Sequence, residues 1–404
     1  MATFIFLTNQ YLPKPGATGV CIHQLAKVLA AENHDVHVVC YADGEASTQY
    51  EGLNIHKINM PPYLKDSQNS GPVLRKMYHT GSLLSKLIHI RDYPLRSATL
   101  VRRYIEAAES IMAGKESVKL VASYTPLEAA VAAATLKKKY GSTIRTAFYS
   151  TDTLSNEQGA AGILPPDYRK KCGIRWEEKL FSVFDKILIM ECHQAHYLSE
   201  PYRPFREKME IVNFPLFTKM ECHPQERREE SCTSLAYAGT LYRVLRNPGF
   251  LCDCLVALSR RQKIKVDFLG SGDCADIVQK ACADSGGAVC FHGMQPHSVA
   301  LAYLSTADVL LSIGNAESPM APSKIYEYMS TGKPILHVYS WAEDPCLEPL
   351  ARYGNALLIQ EGDPEAVVKM EEFLNHRKVL AFSDVARLFR TSTPEYTTHI
   401  LESM

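Results

Sequence analysis

The stretch "APSKIYEYMSTGKPIL", residues 321–336, contains the start of a helix, its end and the start of a buried strand. Ser323 follows a proline and belongs to the residue types that cap helix N-termini, so the pattern predicts a helix beginning at Lys324. Gly332 and Pro334 end that helix, because glycine favours the position after a helix and proline cannot continue one. The apolar run "PILHVY" that follows predicts an interior strand.

The same alternation of strands and helices extends through the chain on the N-terminal side of this stretch. Apolar strand patterns in the second half are "CTSLAYAGT", "KIKVDFLG", "AVCFHG" and "DVLLSI", and those in the first half are "TFIFLT", "DVHVVCY", "KLVASY", "TIRTAFYS", "FDKILIMEC" and "KMEIVNFP". Uniformly apolar strands separated by amphipathic helices are typical of a parallel sheet covered on both faces. We therefore predict an α/β fold with two facing, doubly wound, Rossmann-like domains, joined near the polar segment 213–232.

Composition excludes several classes of function. The 404 residues include 44 basic and 44 acidic side chains, so the net charge of zero provides no general attraction to nucleic acid. The twelve cysteines form no C-x-x-C pair and lie in apolar contexts, which indicates buried thiols in a reducing compartment. No apolar run approaches the roughly 18 residues of a membrane span, and the N-terminal apolar stretch is too short for a signal peptide. We expect a cytoplasmic enzyme.

Ligands of doubly wound sheets bind where the strands end, so the loops after the strands are the candidates for chemistry. In the loop "NQYLPKPGATGV", residues 9–20, Gly16 and Gly19 permit a close approach of backbone to an anion. The alternative is a surface turn with prolines. The loop "FLGSGDCA", residues 268–275, is formally G-x-G-x-x-A, but no acidic residue ends the next strand, so we interpret it as a turn rather than a dinucleotide site.

The loop "YAGTLYRVLRNPG", residues 237–249, combines a glycine with two arginines. Gly239 allows a tight turn, and Arg243 and Arg246 precede a helix, an arrangement suited to clamping a phosphate. The alternative is a solvated cationic loop.

The helix that begins the opening stretch carries two charges one turn apart. Lys324 at a capped helix start suits a diphosphate, and Glu327 has two carboxylate oxygens that accept hydrogen bonds from a ribose diol. The alternative is an ordinary pair at i,i+3. We interpret the pair as a handle for a nucleoside diphosphate.

The chain resembles the family-four retaining glycosyltransferases of the GT-B fold over essentially its whole length. The segments that carry the resemblance are "PGATGVCIHQLAKVLAAENHDVHVVC", "FDKILIMECHQAHYLSEPYRPFREKMEIVNFP", "YAGTLYRVLRNP", "VDFLGSGD", "VCFHGMQPHSVALAYLSTADVLLSIGN" and "APSKIYEYMSTGKPIL". The resemblance implies an acceptor-side domain at residues 1–214, completed by a C-terminal helix at 388–404 that crosses back to it. It implies a nucleotide-sugar donor domain at residues 215–387.

The resemblance also implies roles for individual residues. Glu327 takes the ribose-binding position. Arg243 or Arg246 takes the diphosphate-binding role, with Lys324 and the Ser323 N–H beside them.

Two departures from the family pattern affect the sugar contacts. Where many members have a second glutamate, eight positions before the ribose glutamate, this chain has Pro319, and Glu317 is out of register. Where many have a histidine after the middle N-terminal strand, this chain has Thr151 and Asp152, so Asp152 is the candidate for acceptor binding or general base. The resemblance places Gly19 near the phosphate and the transferred sugar.

We therefore expect a glycosyltransferase that takes a nucleoside-diphosphate sugar, with UDP favoured over GDP and no further cofactor. No Asp-x-Asp motif is present, and we interpret Cys192, His193 and His196 as a strand end and a helix start rather than metal ligands, so we expect no metal. Two alternatives remain open: a sugar-nucleotide 2-epimerase of the same fold, and a non-catalytic partner of another transferase.

The expected acceptor is an unidentified glycan or lipid-linked molecule. Residues 73–103 hold seven Lys or Arg and one Asp among apolar residues, which suggests a peripheral contact with anionic lipid at the inner membrane face. The alternative is a solvated helical face.

Overall fold

The computed structural model describes residues 1–11, 16–41, 48–61, 92–155, 164–219, 232–316 and 324–404, with only the backbone of His297. These residues form two compact units. The first unit comprises Met1–Pro215 and Thr391–Met404, and the second comprises Leu216–Arg390.

The first unit is built on an eight-stranded sheet whose core strands are fully buried. Its strands are β1 (Thr3–Thr8), β2 (Asp35–Tyr41), β3 (Thr48–Tyr50), β4 (Leu53–Ile58), β5 (Val118–Ser123), β6 (Ile144–Ser150), β7 (Lys186–Met190) and β8 (Met209–Val212). They lie in the order β3-β4-β2-β1-β5-β6-β7-β8, and each neighbouring pair is parallel except β3 with β4. Every residue of β1 and β5 is buried, as expected for central strands covered on both faces.

Helices connect these strands and cover the sheet. They are α1 (Ala17–Ala31), α2 (Ala98–Met112), α3 (Leu127–Tyr140), α4 (Pro166–Phe181) and α5 (Gln194–Tyr197), with 3-10 turns at Gly141–Thr143, Glu191–His193 and Glu200–Lys208. Helix α2 begins at a side-chain cap, because the Ser97 side chain accepts a hydrogen bond from the Leu100 N–H.

The second unit contains a six-stranded, all-parallel sheet. Its strands are β9 (Thr233–Ala238), β10 (Ile264–Leu269), β11 (Val289–Phe291), β12 (Val309–Ile313), β13 (Ile335–Tyr339) and β14 (Ala356–Gln360). They lie in the order β11-β10-β9-β12-β13-β14, so the chain reverses its direction of travel across the sheet between β9 and β12. The helices are α6 (Gly249–Ser259), α7 (Ala275–Asp284), α8 (His297–Thr306), α9 (Lys324–Ser330), α10 (Leu347–Tyr353), α11 (Ala366–Asn375) and α12 (Phe382–Leu388).

The chain ends in helix α13 (Pro394–Glu402), which returns to the first unit after a 3-10 turn at Arg390–Ser392 and packs on α1 and β8. Its carboxyl end is held there by a side-chain hydrogen bond, since Glu402 Oε1 lies 2.7 Å from His34 Nε2. The Asn213 N–H also donates to the Thr391 carbonyl at 2.8 Å. The predicted α/β fold, with two doubly wound sheets and a C-terminal helix that returns to the first, is confirmed.

Two glycines in the loop after β10 allow it to pack backbone against backbone on the loop after β9. A Cβ atom on Gly270 would lie 1.8 Å from the Gly239 carbonyl oxygen. Gly272 has a φ of +129°, and a Cβ there would lie 1.7 Å from the Leu241 carbonyl oxygen. Between these two glycines, the Ser271 carbonyl accepts a hydrogen bond of 2.8 Å from the Leu241 N–H. The G-x-G spacing therefore serves close packing of two loops.

We predict that Gly270→Ala destabilises the protein, because the added methyl group has to displace the Gly239 peptide. The expected loss is about 2 kcal/mol in the free energy of unfolding, typical of overpacking a rigid site. Urea unfolding of the variant measures it. Gly16→Ala is the control, since Gly16 has a φ of −72° and the nearest atom to its added Cβ is Asn9 Nδ2 at 4.0 Å. Equal stability of the two variants would contradict the packing argument.

Candidate functional site

Arg246 links the ends of the two strands between which the second sheet reverses. The backbone of Tyr242 and Arg246 forms two mutual hydrogen bonds, of 2.7 and 3.2 Å, which close a tight turn after β9. From this turn the guanidinium donates from Nη1 to the Thr240 carbonyl at 3.3 Å. It also donates from Nη2 and Nε to Asn315 Oδ1, after β12, at 2.7 and 3.1 Å. A cation is therefore held at the topological switch point, where sheets of this kind bind ligands.

The loop after β12 reinforces this arrangement. Asn315 is buried, and the neighbouring Ala316 N–H donates to the Leu245 carbonyl at 2.7 Å. The turn that carries Arg246 is thus fixed by backbone as well as by side-chain hydrogen bonds.

A buried tyrosine of helix α9, Tyr328, is hydrogen-bonded to the end of β9. The Tyr328 hydroxyl accepts from the Ala238 N–H at 3.0 Å and donates to the Ala238 carbonyl at 3.2 Å, at the end of β9 and beside Gly239. Burial raises the pKa of Tyr328, and the charges of Glu327 and Arg246 act on it in opposite directions. The end of β9, after which the turn of Arg246 begins, is therefore also the point to which α9 is hydrogen-bonded.

Lys324 and Glu327 form an ion pair within α9, with Lys324 Nζ 2.6 Å from Glu327 Oε2. This is the i,i+3 pair that the sequence offered as the alternative to a ligand handle. The Lys324 side chain is one-third exposed and that of Glu327 less so, which leaves the pair accessible at the surface of the unit. Ser323, Pro319 and Glu317 lie outside the described residues.

Arg243 has a different role from Arg246. Its Nη2 donates to both carboxylate oxygens of Asp276, at 2.8 and 2.9 Å, and its backbone N–H donates to Asp273 Oδ1 at 2.7 Å. The Arg243 guanidinium holds the pKa of the Asp276 carboxyl below its usual value. The structure therefore separates two arginines that the sequence left equivalent: Arg243 forms a surface ion pair, and Arg246 spans the switch point.

The position of Gly19 differs from the prediction. We expected it in the loop after β1, but Gly16 has the extended backbone of an N-cap and α1 begins at Ala17. Gly19 is therefore buried in the first turn of α1. Gly239 lies where expected, directly after β9, with its N–H donating to the Leu269 carbonyl at 3.0 Å.

In the first unit, Asp152 lies close to His193, a contact that the sequence analysis did not predict. Asp152 follows β6 and accepts a hydrogen bond from the Thr153 N–H at 2.8 Å. His193 follows the neighbouring strand β7, and its Nε2 lies 3.6 Å from Asp152 Oδ1. Burial raises the pKa of Asp152 and lowers that of His193.

The loop that carries Asp152 is held by Glu177, a buried carboxylate on α4. Glu177 Oε1 accepts from the Leu154 N–H at 2.8 Å, and Oε2 accepts from the Tyr202 hydroxyl at 2.5 Å. Burial raises the pKa of Glu177, and these hydrogen bonds oppose the rise. Gly173, one turn earlier, permits the contact, since a Cβ there would lie 2.3 Å from the Leu154 carbonyl oxygen.

A cleft of about 200 Å³ opens at the ends of β2, β4 and β5. Its lining combines aromatic, aliphatic and charged side chains: Tyr41, Met60, Pro94, Arg96, Leu100, Tyr124, Thr125, Pro126, Leu127, Glu128 and Leu154. Glu128 is buried, and its Oε1 accepts from the Arg96 and Ser97 N–H groups at 2.8 and 3.0 Å, which fixes the wall of the cleft.

Within the described residues, two groups bring metal-ligating atoms within 4.8 Å of one another: His337, Asp344 and Cys346, and Glu32, His34 and Glu402. His193 and His196 have other contacts. His193 faces Asp152, and His196 Nε2 lies 2.8 Å from Ser155 Oγ.

No helix in the described part of the chain has the length and apolarity needed to cross a bilayer. Residues 73–91 of the basic segment lie outside the described residues. In its remaining part, Arg102 is exposed, with Glu106 as its i,i+4 partner.

No protein-family model matches the chain, and neither does any curated protein sequence. Solved structures do match. HepE of Anabaena, in complex with UDP and glucose, has a TM-score of 0.56 and 13% identity over 100% of both chains. The catalytic domain of starch synthase IV of Arabidopsis thaliana, bound to ADP and acarbose, has a TM-score of 0.56 and 11% identity, over 100% of this chain and 98% of the other.

The N-terminal domain of the trehalose-6-phosphate phosphatase of Candida albicans has a TM-score of 0.59 and 12% identity, over 100% of this chain and 96% of the other. At these identities the likeness shows the fold, and the resemblance to family four stays a prediction. The chain has the two-sheet, Rossmann-like architecture of the GT-B fold.

Proposed function

We propose that the chain is a glycosyltransferase that moves a sugar from a nucleoside-diphosphate sugar to a hydroxyl group of an acceptor. The observation that carries this proposal is Arg246, held across the switch point of the second sheet beside the helix that bears Lys324 and Glu327. The GT-B fold supports it, as do the nucleotides in two similar structures, UDP in HepE and ADP in starch synthase IV.

The proposed catalysis is electrostatic and acts on the leaving diphosphate. As the bond between the anomeric carbon and the diphosphate breaks, negative charge accumulates on the leaving diphosphate. The Arg246 guanidinium, oriented in advance by Thr240 and Asn315, stabilises that charge without reorganising. Opening of the Lys324–Glu327 pair releases the ammonium group to the diphosphate and the carboxylate to the ribose hydroxyls. A ligand thus replaces one charge-assisted contact with two.

For the nucleotide, the stereochemistry, the acceptor and the cellular location, we propose what the sequence analysis predicted. UDP is the nucleotide, transfer proceeds with retention and without a metal, and the acceptor is a glycan or a lipid-linked molecule of polysaccharide biosynthesis. Residues 215–387 bind the donor and residues 1–214 with 388–404 bind the acceptor. The protein acts in the cytoplasm, where the basic segment 73–103 contacts anionic lipid at the inner membrane face.

We predict that one of UDP, GDP, ADP, CDP and dTDP, with UDP favoured, raises the melting temperature above the others. At about 100 times its dissociation constant, a ligand stabilises the folded state by roughly 2.7 kcal/mol, which corresponds to a few degrees in a chain of this size. Thermal unfolding at millimolar nucleotide measures the shift. Uridine is the control, since it lacks the diphosphate and is expected to have little effect. If none of the five shifts the transition, the donor site is absent.

Arg246→Gln is expected to weaken UDP binding by about 10- to 100-fold, because a charge-assisted contact to the diphosphate is worth roughly 1.5–3 kcal/mol. Arg243→Gln is the matched control and is expected to change the affinity less than about threefold, because Asp276 already occupies that guanidinium. Isothermal titration measures both affinities, and the melting temperature checks that each variant is folded. A larger loss in Arg243→Gln would reverse the assignment.

A further inference from the structure

Three different metal-ligating side chains converge inside the second unit, beside the carboxyl ends of β12 and β13. His337 lies on β13, and Asp344 and Cys346 follow in the segment that leads into α10. One ligand atom of each lies within 4.8 Å of the other two, and all three residues are buried. The proposed donor site uses none of them, so their convergence needs an explanation of its own.

The imidazole of His337 is oriented by the neighbouring strand. Ser312 lies opposite His337 in the parallel pairing of β12 with β13, and its Oγ is 3.0 Å from His337 Nδ1. The other ring nitrogen, Nε2, faces Asp344 Oδ2 at 3.3 Å. The second carboxylate oxygen, Asp344 Oδ1, accepts a hydrogen bond from the Cys346 N–H at 2.7 Å. Metal ligands are typically held in this way, by hydrogen bonds to the polar atoms that do not bind the ion.

The separation between His337 Nε2 and Asp344 Oδ2 fits two ligands of one ion. A direct, charge-assisted N–H···O bond spans about 2.7–2.9 Å, and the His292–Asp267 pair in the same sheet has 2.8 Å. Two ligand atoms of a tetrahedral zinc ion, each bonded at about 2.0–2.1 Å, lie about 3.3 Å apart. The observed 3.3 Å therefore matches the ligand spacing and exceeds that of the direct pair.

Gly314 leaves room for this arrangement. It follows β12, and a Cβ atom there would lie 1.8 Å from Asp344 Oδ2 and 3.4 Å from His337 Nε2. Any larger residue would displace the carboxylate and intrude beside the imidazole. The absence of a side chain at position 314 therefore keeps open the space on which the nitrogen and the oxygen converge.

The charges of the three side chains also suit a divalent cation. Burial, then the charge of Asp344, raises the pKa of the Cys346 thiol, so the thiol keeps its proton unless a cation replaces it. One carboxylate, one thiolate and one neutral imidazole together balance the charge of Zn²⁺. A buried set with no net charge avoids the cost of an uncompensated buried ion.

We propose that His337 Nε2, Asp344 Oδ2 and Cys346 Sγ bind a zinc ion, with water as the fourth ligand. Thiolate and imidazole favour zinc over Mg²⁺ and Ca²⁺, and the carboxylate disfavours Cu(I). As the zinc–sulfur bond forms, the thiol proton leaves to solvent, and no electron is transferred. The ion is structural. It fastens the segment after β13 to the end of β12, where Asn315 orients Arg246. It takes no part in the metal-free transfer proposed above and does not depend on it.

The zinc content of the purified full chain, measured after dialysis, tests the site. The wild type is expected to hold about one zinc ion per chain, and Cys346→Ser is expected to hold almost none. Cys252→Ser is the matched control, because Cys252 is a buried thiol on α6 outside the cluster. This variant is expected to keep the zinc content of the wild type. Thermal unfolding checks that both variants are folded.

Cobalt in place of zinc identifies the ligands, because Co²⁺ accepts the same donor atoms. The wild-type protein, produced in a medium in which Co²⁺ replaces Zn²⁺, is expected to show the near-ultraviolet band of a cobalt–thiolate bond. Cys346→Ser is expected to lose this band. Asp344→Asn is expected to keep it and to shift the visible bands of the ion.

A wild-type protein that holds almost no zinc, or a cobalt-loaded protein without the thiolate band, overturns the proposal. Equal zinc content in folded Cys346→Ser and in the wild type overturns it as well. If Cys346→Ser does not fold, the cobalt spectrum of the wild type decides. Loss of nucleotide binding would concern the proposed function alone.

Discussion

One guanidinium, that of Arg246, orders the loops at the ends of β9 and β12 in the second unit. The sheet reverses between the neighbouring strands β9 and β12, and the loops after these two strands are hydrogen-bonded to each other. Arg246 also joins these loops, because it donates to the Thr240 carbonyl on one side and to the Asn315 side chain on the other. These acceptors orient the cation and leave it half-buried at the strand ends. The contacts that stabilise the loops therefore also prepare a positive charge for an anionic ligand.

In the first unit, a buried carboxylate, that of Glu177, fixes a loop at the strand ends in the same way. Glu177 lies on a helix and accepts backbone hydrogen bonds from the loop after β6. Its carboxylate also accepts hydrogen bonds from two tyrosine hydroxyls. A buried charge is stable only when its hydrogen-bonding capacity is met, so this loop has little freedom. The rigid loop then presents Asp152 to His193 across the ends of two strands. In both units, a charged side chain holds loops at the edge where parallel strands end.

The sequence predicted the fold because its central strands are unbroken apolar runs separated by amphipathic helices, a pattern that few architectures accommodate. It also predicted the proximity of Lys324 and Glu327, since residues three apart on a helix share a face. It did not distinguish Arg243 from Arg246, because spacing in a loop does not specify side-chain direction. The pairing of Asp152 with His193 was missed because it depends on the register of two strands. Gly19 was misplaced because the helix begins one turn earlier than its apolar pattern suggests.

The central claim is that Arg246, Lys324 and Glu327 act together on one nucleotide diphosphate. A crystal structure of the protein with UDP tests it most directly. The account predicts that the diphosphate lies within hydrogen-bonding distance of the Arg246 guanidinium. It also predicts that the Lys324–Glu327 contact of 2.6 Å is broken, with Glu327 bound to the ribose hydroxyls. UDP bound elsewhere, with that ion pair intact and Arg246 still donating to Thr240 and Asn315, would contradict it.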